Sequence, residues 1–263
     1  MVWSRQVAHD PSALLILVLV VAAFVAGFVD AIAGGGGLIT LPVLLGAGLP
    51  AHLALGTNKG QSIFGSGSAA LAFARRGALD LRRALVTFPL AIAGAFLGAQ
   101  LVHALSPATL RPVVLVLLPV AAATLLVRRP DRTGVPRPSP ARALVYSALL
   151  ALVVGAYDGF FGPGTGTFFI IGFVVLLHEP LVAATADAKV ANFGSNIAAV
   201  TVFALHGHVV WRLALPMAGA QFTGAWVGAH VAIRGGDRLV RRMVLLVVLG
   251  LCAKLAWDGF RTS

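Results

Sequence analysis

The sequence predicts an all-α membrane protein, made of two inverted repeats of about five hydrophobic segments each, with short glycine-interrupted helices. Three observations predict this class. Hydrophobic residues fill 59% of 263 positions and charged residues only 11%, whereas a soluble domain devotes about a quarter of its residues to charge to solvate its surface. The apolar runs between charged clusters are mostly long enough to cross a hydrocarbon core about 30 Å thick. An ordered series of motifs then recurs along the chain, as an internal repeat requires.

The first-half segments run over 12–33, 38–49, 57–74, 84–105 and 108–127, and the second-half segments over 142–160, 165–178, 185–205, 212–233 and 239–258. The resulting division is 1–127 for the first transmembrane repeat, 128–141 for a basic linker and 142–263 for the second repeat. The opening segment resembles a secretory signal, with Arg5 ahead of it and Ala31-Ile32-Ala33 at its end. Its apolar stretch exceeds a signal core, and its end carries a motif found again in the second half, so it reads as a retained span. Helices are expected throughout, because a spanning backbone must satisfy its own hydrogen bonds and the runs lack the alternation of a barrel.

The repeat is carried by paired positions. Gly27-Phe28-Val29-Asp30, ahead of Gly34 to Gly37, matches Gly155-Ala156-Tyr157-Asp158 ahead of Gly162-Pro163-Gly164-Thr165, at an offset of 128. Past a two-residue insertion the offset is 130: Lys59 then matches Lys189, Phe73 matches Phe203, Gly77 matches Gly207, and Gly94 and Gly98 match Gly224 and Gly228.

The formal charge of +11 would suggest nucleic acid in a soluble protein. Here the basic clusters carry no interleaved aromatics, so nucleic-acid binding is not expected. Ten crossings with the N-terminus outside put thirteen of the 20 basic residues on the cytoplasmic side, in clusters Arg75–Arg83, Arg128–Arg142 and Arg234–Arg242. That is a strong positive-inside pattern, and it makes 128–141 a cytoplasmic linker. Five crossings per half leave the halves inverted, a common transporter plan. Cys252 is the only cysteine, which excludes an intrachain disulfide framework or cysteine metal cluster. His206-Gly207-His208 lacks the carboxylates or thiols of a metal centre, so no metal is assigned.

The expected substrate-binding region centres on Gly34, Gly35, Gly36, Gly37 and on Gly162, Gly164 and Thr165. Gly and Pro cost about 1 and 3 kcal/mol in a helix interior, so each run ends one helix and starts another. A helix start offers free N–H groups and a partial positive charge to an anion. Paired broken segments at matching positions mark transporter sites. Lys59 and Lys189 occupy one repeat position in a chain with 17 arginines and three lysines. A charge mid-span costs roughly 2.5–3.5 kcal/mol, so these lysines serve an anion, snorkel from a helix end or lock the halves together. Asn58, Gln61 and Ser62 follow on the first helix, with Ser66 beyond them, and Asn192 and Asn196 on the second, with Ser195 between them. Spacings of three or four place several of them on one helix face, as pathway lining or interhelical glue. Asp30 and Asp158, one turn before the breaks, are candidates for proton coupling, for balancing the lysines or for capping. Gly94-x-x-x-Gly98 and Gly224-x-x-x-Gly228 read as close helix packing.

Asp-Ala-Ile-Ala-Gly-Gly-Gly-Gly (30–37), Leu-Ala-Leu-Gly-Thr-Asn-Lys (53–59), Phe-Gly-Pro-Gly-Thr-Gly (161–166) and Asn192-Phe193-Gly194-Ser195-Asn196 closely resemble the sulfite exporter TauE/SafE family, over about residues 13 to 258. The resemblance implies a multi-pass carrier of the bacterial inner membrane, for sulfite, sulfonates or other organosulfur anions. The family's second lysine motif commonly reads Asn-Thr-Lys; this chain has Asp187-Ala188-Lys189, an added acid beside the expected anion site. The leading reading is a secondary transporter for a small anion, working by alternating access, with a proton or sodium ion as coupling partner and the lipid bilayer as its surroundings. An anion channel stands beside it, and an intramembrane enzyme using Asp30 and Asp158 as an acid–base pair behind it. No G-x-x-x-x-G-K-[ST] phosphate loop occurs, so no ATPase is expected, and no cofactor is assigned.

Overall fold

The computed structural model describes residues 12–106 and 138–262. The expected segment 108–127 and nearly all of the linker lie outside them. Among the described residues the regular structure is helical, and no strand occurs. Helix α1, Ala13–Ala33, starts under Ser12, whose hydroxyl accepts from the Leu15 N–H, and ends at Gly34 in the left-handed region (φ 81). Helices α2 (Gly37–Gly46) and α3 (Ala51–Arg75) follow, the latter entered through Pro50. Helix α4, Leu81–Ala104, is capped by the Asp80 side chain, which accepts from the Arg83 N–H. The second half repeats the plan with α5 (Pro140–Phe160), α6 (Thr165–Leu177) and α7 (Leu181–Leu205). Helix α8, Trp211–Thr262, leaves helical geometry at Gly236 (φ 61, ψ −169).

Two boundaries differ from expectation for physical reasons. Helices α3 and α7 begin at 51 and 181, not 57 and 185. Pro50 and Pro180 occupy the N-cap positions, so each helix begins directly after its proline. The loop expected at 234–238 shrinks to a break at the single residue Gly236, which supplies a positive φ without a steric penalty.

α1, α4, α5 and α7 are each long and apolar enough to cross a membrane, whereas α2 and α6 have 10 and 13 residues, roughly 15–20 Å at 1.5 Å per residue. Each short helix therefore covers about half to two-thirds of a hydrocarbon core.

Packing puts the polar helices inside. α3 and α7 touch each other; α1 and α8 pack together against α3, and α4 and α5 pack together against α7's side of the body. Buried on α3 and α7 are Asn58, Lys59, Gln61, Asp187, Lys189 and Asn192, while Leu14, Leu17, Val21, Leu85, Leu97 and Val153 face outward. This inversion of the usual polar-out rule is what a lipid solvent demands, because apolar side chains lose nothing in hydrocarbon. The glycine pairs allow the close contacts. A Cβ on Gly224 or Gly228 would overlap the Phe24 and Phe28 carbonyls of α1, and one on Gly94 or Gly98 would overlap the Leu152 and Ala156 carbonyls of α5. The α1–α8 and α5–α4 contacts thus use matching repeat positions.

Candidate functional site: crossed ion pairs at a double helix break

The two glycine runs meet face to face. A Cβ on Gly34 would stand 2.7 Å from the Gly166 Cα, and one on Gly37 would stand 3.1 Å from the Pro163 Cα. The Thr167 N–H donates to the Gly34 carbonyl at 3.2 Å, and its hydroxyl donates to the Ala33 carbonyl at 2.6 Å. The last carbonyls of α1 are thereby satisfied by the start of α6. Three positions at the breaks need glycine for their backbone: Gly34, Gly162 (φ 95) and Gly164 (φ 85). Tyr157 closes the second break by donating its hydroxyl to the Pro163 carbonyl at 2.7 Å.

Against this junction the lysines and aspartates pair crosswise. Lys59 of the first half meets Asp158 of the second at 2.5 Å, and Lys189 of the second half meets Asp30 of the first at 2.8 Å. Lys59 is 2% exposed and Lys189 0%, so neither snorkels. An unpaired charge at such depth is strongly unfavourable, and each carboxylate offsets it only because further hydrogen bonds complete its shell. Asp30 Oδ1 accepts from the Gly36 N–H at 3.1 Å. Asp158 Oδ2 accepts from the Asn192 amide at 3.3 Å and from the Ser195 hydroxyl. The amines are therefore not lone, and the four charges sum to zero. The helix-start donor expected for an anion at Gly36 is already engaged by Asp30.

The cavity between the breaks is about 20 Å³, room for about one water. Asp30, Gly34, Gly37, Asn58, Lys59 and Ser62 line it from the first half; Asp158, Gly162, Thr165, Asn192 and Asn196 line it from the second. Of the remaining expected residues, Lys189 touches Asp30 and Gln61 donates to Asn58 Oδ1 at 3.1 Å. Gly164 caps α6, and the Gly35 carbonyl accepts from the Leu38 N–H, so both shape the turns without lining the cavity. Sequence reasoning missed Thr40, whose hydroxyl donates to Asn58 Oδ1 at 2.5 Å, and Gln221, which lines the cavity from α8. Repeat matching cannot find Gln221, because the corresponding position is Ala91. Its one signal is an amide inside an otherwise apolar run.

Asp187 does not sit beside the cavity. Two residues along a helix is about 200° of rotation, and Asp187 instead contacts Arg83, which also pairs with Glu179 at 2.5 Å and Asp80 at 3.3 Å. Asp187 Oδ1 accepts from the Asp80 N–H at 3.2 Å, and Thr57 Oγ1 accepts from the Val210 N–H at 3.0 Å. The two bonds are equivalents across the repeat, because Thr57 and Asp187, and likewise Asp80 and Val210, are 130 positions apart in the sequence. They mark opposite ends of the body: one rich in arginine and carboxylates, the other holding four histidines. There His103 stacks on His206 at 3.9 Å between ring centroids, and His208 lies 4.9 Å from His103 and 5.0 Å from His52. Among the described residues no group of three or more His, Cys, Asp or Glu is placed to hold a metal ion.

Burial, then the neighbouring His52 and His206, push the His208 pKa below its usual value. A group whose folded pKa is depressed binds more protons when unfolded, so stability falls as pH drops through the ordinary histidine range. Melting temperature is expected to fall between pH 7 and pH 5, and to fall less in His208→Gln; identical pH profiles for the two proteins would refute this.

The family model for "Sulfite exporter TauE/SafE" matches residues 19–255. The chain is similar to "Probable membrane transporter protein ORF9" of Sinorhizobium sp, 43% identical over 244 residues and covering 93% of both chains. A "Probable membrane transporter protein" of Haemophilus influenzae is 37% identical, covering 93% of this chain and 95% of its own. "Probable membrane transporter protein YfcA" of Escherichia coli K12 is 37% identical, covering 94% of this chain and 92% of its own. No solved structure matches the chain.

Proposed function

Since this chain belongs to the sulfite exporter TauE/SafE family, whose relatives are membrane transporters rather than enzymes, it is a multi-pass membrane protein with a transport role, and we propose that it moves a small anion by alternating access. The substrate class is sulfite, sulfonate or another organosulfur anion. The membrane is the cytoplasmic one, with the arginine-rich end inside and the two halves inverted.

The observation that carries this reading is the crossed pairing of Lys59 with Asp158 and Lys189 with Asp30 at the helix breaks. Lys59 lies in the third turn of α3, counted from the histidine end. Lys189 lies in the third turn of α7, counted from the arginine end. One pair therefore bars the cavity from each side. An anion arriving from one side exchanges for the nearer carboxylate on its lysine, which opens that lock while the other stays shut. Released N–H groups at the start of α2 and the αL turns of the second break then cradle the anion's oxygens. A cavity of about 20 Å³ has no room for a sulfonate, which supports a carrier that reopens over a standing pore.

The test is flux into proteoliposomes of the purified protein, with sulfite, taurine, sulfoacetate and acetate compared. Saturable uptake of a sulfur oxyanion, accelerated by the same anion on the far side, is the expected result. A flux linear in concentration would make the protein a pore. Transport of acetate with none of the sulfur compounds would remove the substrate class.

A further inference from the structure

Hydrogen-bond accounting leaves two oxygens over on residues that line the cavity, those of Asn196 and Gln221, and a third on Gln61 of α3. Gln61, Asn196 and Gln221 are 0%, 2% and 2% exposed, and the side-chain carbonyl oxygen of each has no partner. A buried polar atom without a partner is uncommon and calls for a reason. The amide nitrogens of two of them are already committed: Asn196 donates to Ser66 Oγ at 3.3 Å and to the Asn192 carbonyl at 2.8 Å, and Gln61 donates to Asn58 Oδ1. It is the oxygens that remain free.

The three amides gather on one short stretch of α3. Gln61 belongs to it, and Asn196 is bonded to Ser66. Gln221 fits between Gly27 and Gly65, where a Cβ on Gly65 would stand 2.7 Å from the Gln221 Cγ. Two glycines thus make the slot that admits this amide. Asn196, Gln221 and Ser62 all line the cavity.

We infer that the amide oxygens of Asn196 and Gln221, both lining the cavity, form part of a seat for a sodium ion bound beside the transported anion. The donor set is neutral, hard and made of oxygen, which suits neither a transition metal, lacking imidazole and thiolate, nor calcium or magnesium, which take carboxylates. Asp30 and Asp158 are held by the lysines. Amide oxygens are too weakly basic to hold a proton near neutral pH, so the seat is not a proton site. The need for a cation follows from the anion-transport reading on which this inference rests. With both ion pairs internally neutral, an arriving anion leaves the buried site with excess negative charge, and an adjacent cation offsets it.

The experiment compares melting of the detergent-purified protein in sodium chloride with that in choline chloride at equal ionic strength, each with and without sulfite added as a choline salt. A saturable, sodium-specific rise in Tm is expected. Gln221→Leu and Asn196→Leu should each weaken the half-saturating sodium concentration by about 10-fold or more, the scale seen when a metal site loses a supporting contact. The wild-type comparison decides even if a variant fails to fold. Water alone at these oxygens gives equal melting in sodium and choline. That result, with sulfite still stabilising, overturns the sodium seat and leaves the anion reading standing. Equal melting with no sulfite effect overturns the seat and removes sulfite as the substrate, and a sodium effect without a sulfite effect supports the seat while removing sulfite alone.

Discussion

Lys59→Met is expected to lower anion flux by about 100-fold or more, equivalent to about 2.7 kcal/mol of lost stabilisation, and to lower stability at the same time. The methionine preserves length and apolar contact but leaves Asp158, 1% exposed, without its counter-charge. Removing one partner of a buried pair costs about 3–5 kcal/mol. Ser195 and Asn192 still donate to the Asp158 carboxylate, which moderates the loss. The double variant Lys59→Met/Asp158→Leu separates the two effects. It replaces the pair by apolar neighbours, so melting is expected to recover toward wild type while flux stays lost. Recovery of flux along with stability would make the pair a structural rivet with no role in the transport cycle. The same pair of measurements applies to Lys189 and Asp30.

Gly34→Ala is expected to prevent accumulation of folded protein. Two penalties combine at this position. Its φ of 81 strains any residue with a Cβ, at about 1–3 kcal/mol. The new methyl would also collide with the backbone of Gly166 and Thr167, where no flexible side chain can yield, so the breaks would separate. Gly46→Ala is the control, because it lies in α2 with open space around it and helix propensity favours alanine by up to about 1 kcal/mol. Size-exclusion profiles of detergent extracts read both. A monodisperse Gly34→Ala peak at wild-type yield would show that the junction is not tightly closed.

Much of this architecture was readable from the chain because lipid imposes simple rules. Low charge, long apolar runs and the recurring Gly27/Gly155 and Lys59/Lys189 positions fixed helices, spans and the neighbourhood of the breaks. Pairing partners were not readable. Asp30 and Lys189 are 159 residues apart, as are no two groups that local periodicity could join, and only the crossing of α1 and α7 shows that the lysine of one half answers the aspartate of the other. Asp187 misled for a related reason. Proximity in sequence to Lys189 suggested a shared site, but two steps along a helix turn the side chain to the opposite face and toward Arg83. Gln221 escaped because symmetry draws attention to what recurs, and this amide has no counterpart.

The balance of two ammonium groups against two carboxylates also governs how the protein responds to voltage. A membrane potential works on net charge, at about 2.3 kcal/mol per elementary charge per 100 mV. In the proposed alternating-access cycle, an unloaded site carrying none gives the field nothing to pull on, so these four residues add no voltage dependence to the return of the empty form. Current arising at this site would then come from the proposed cargo.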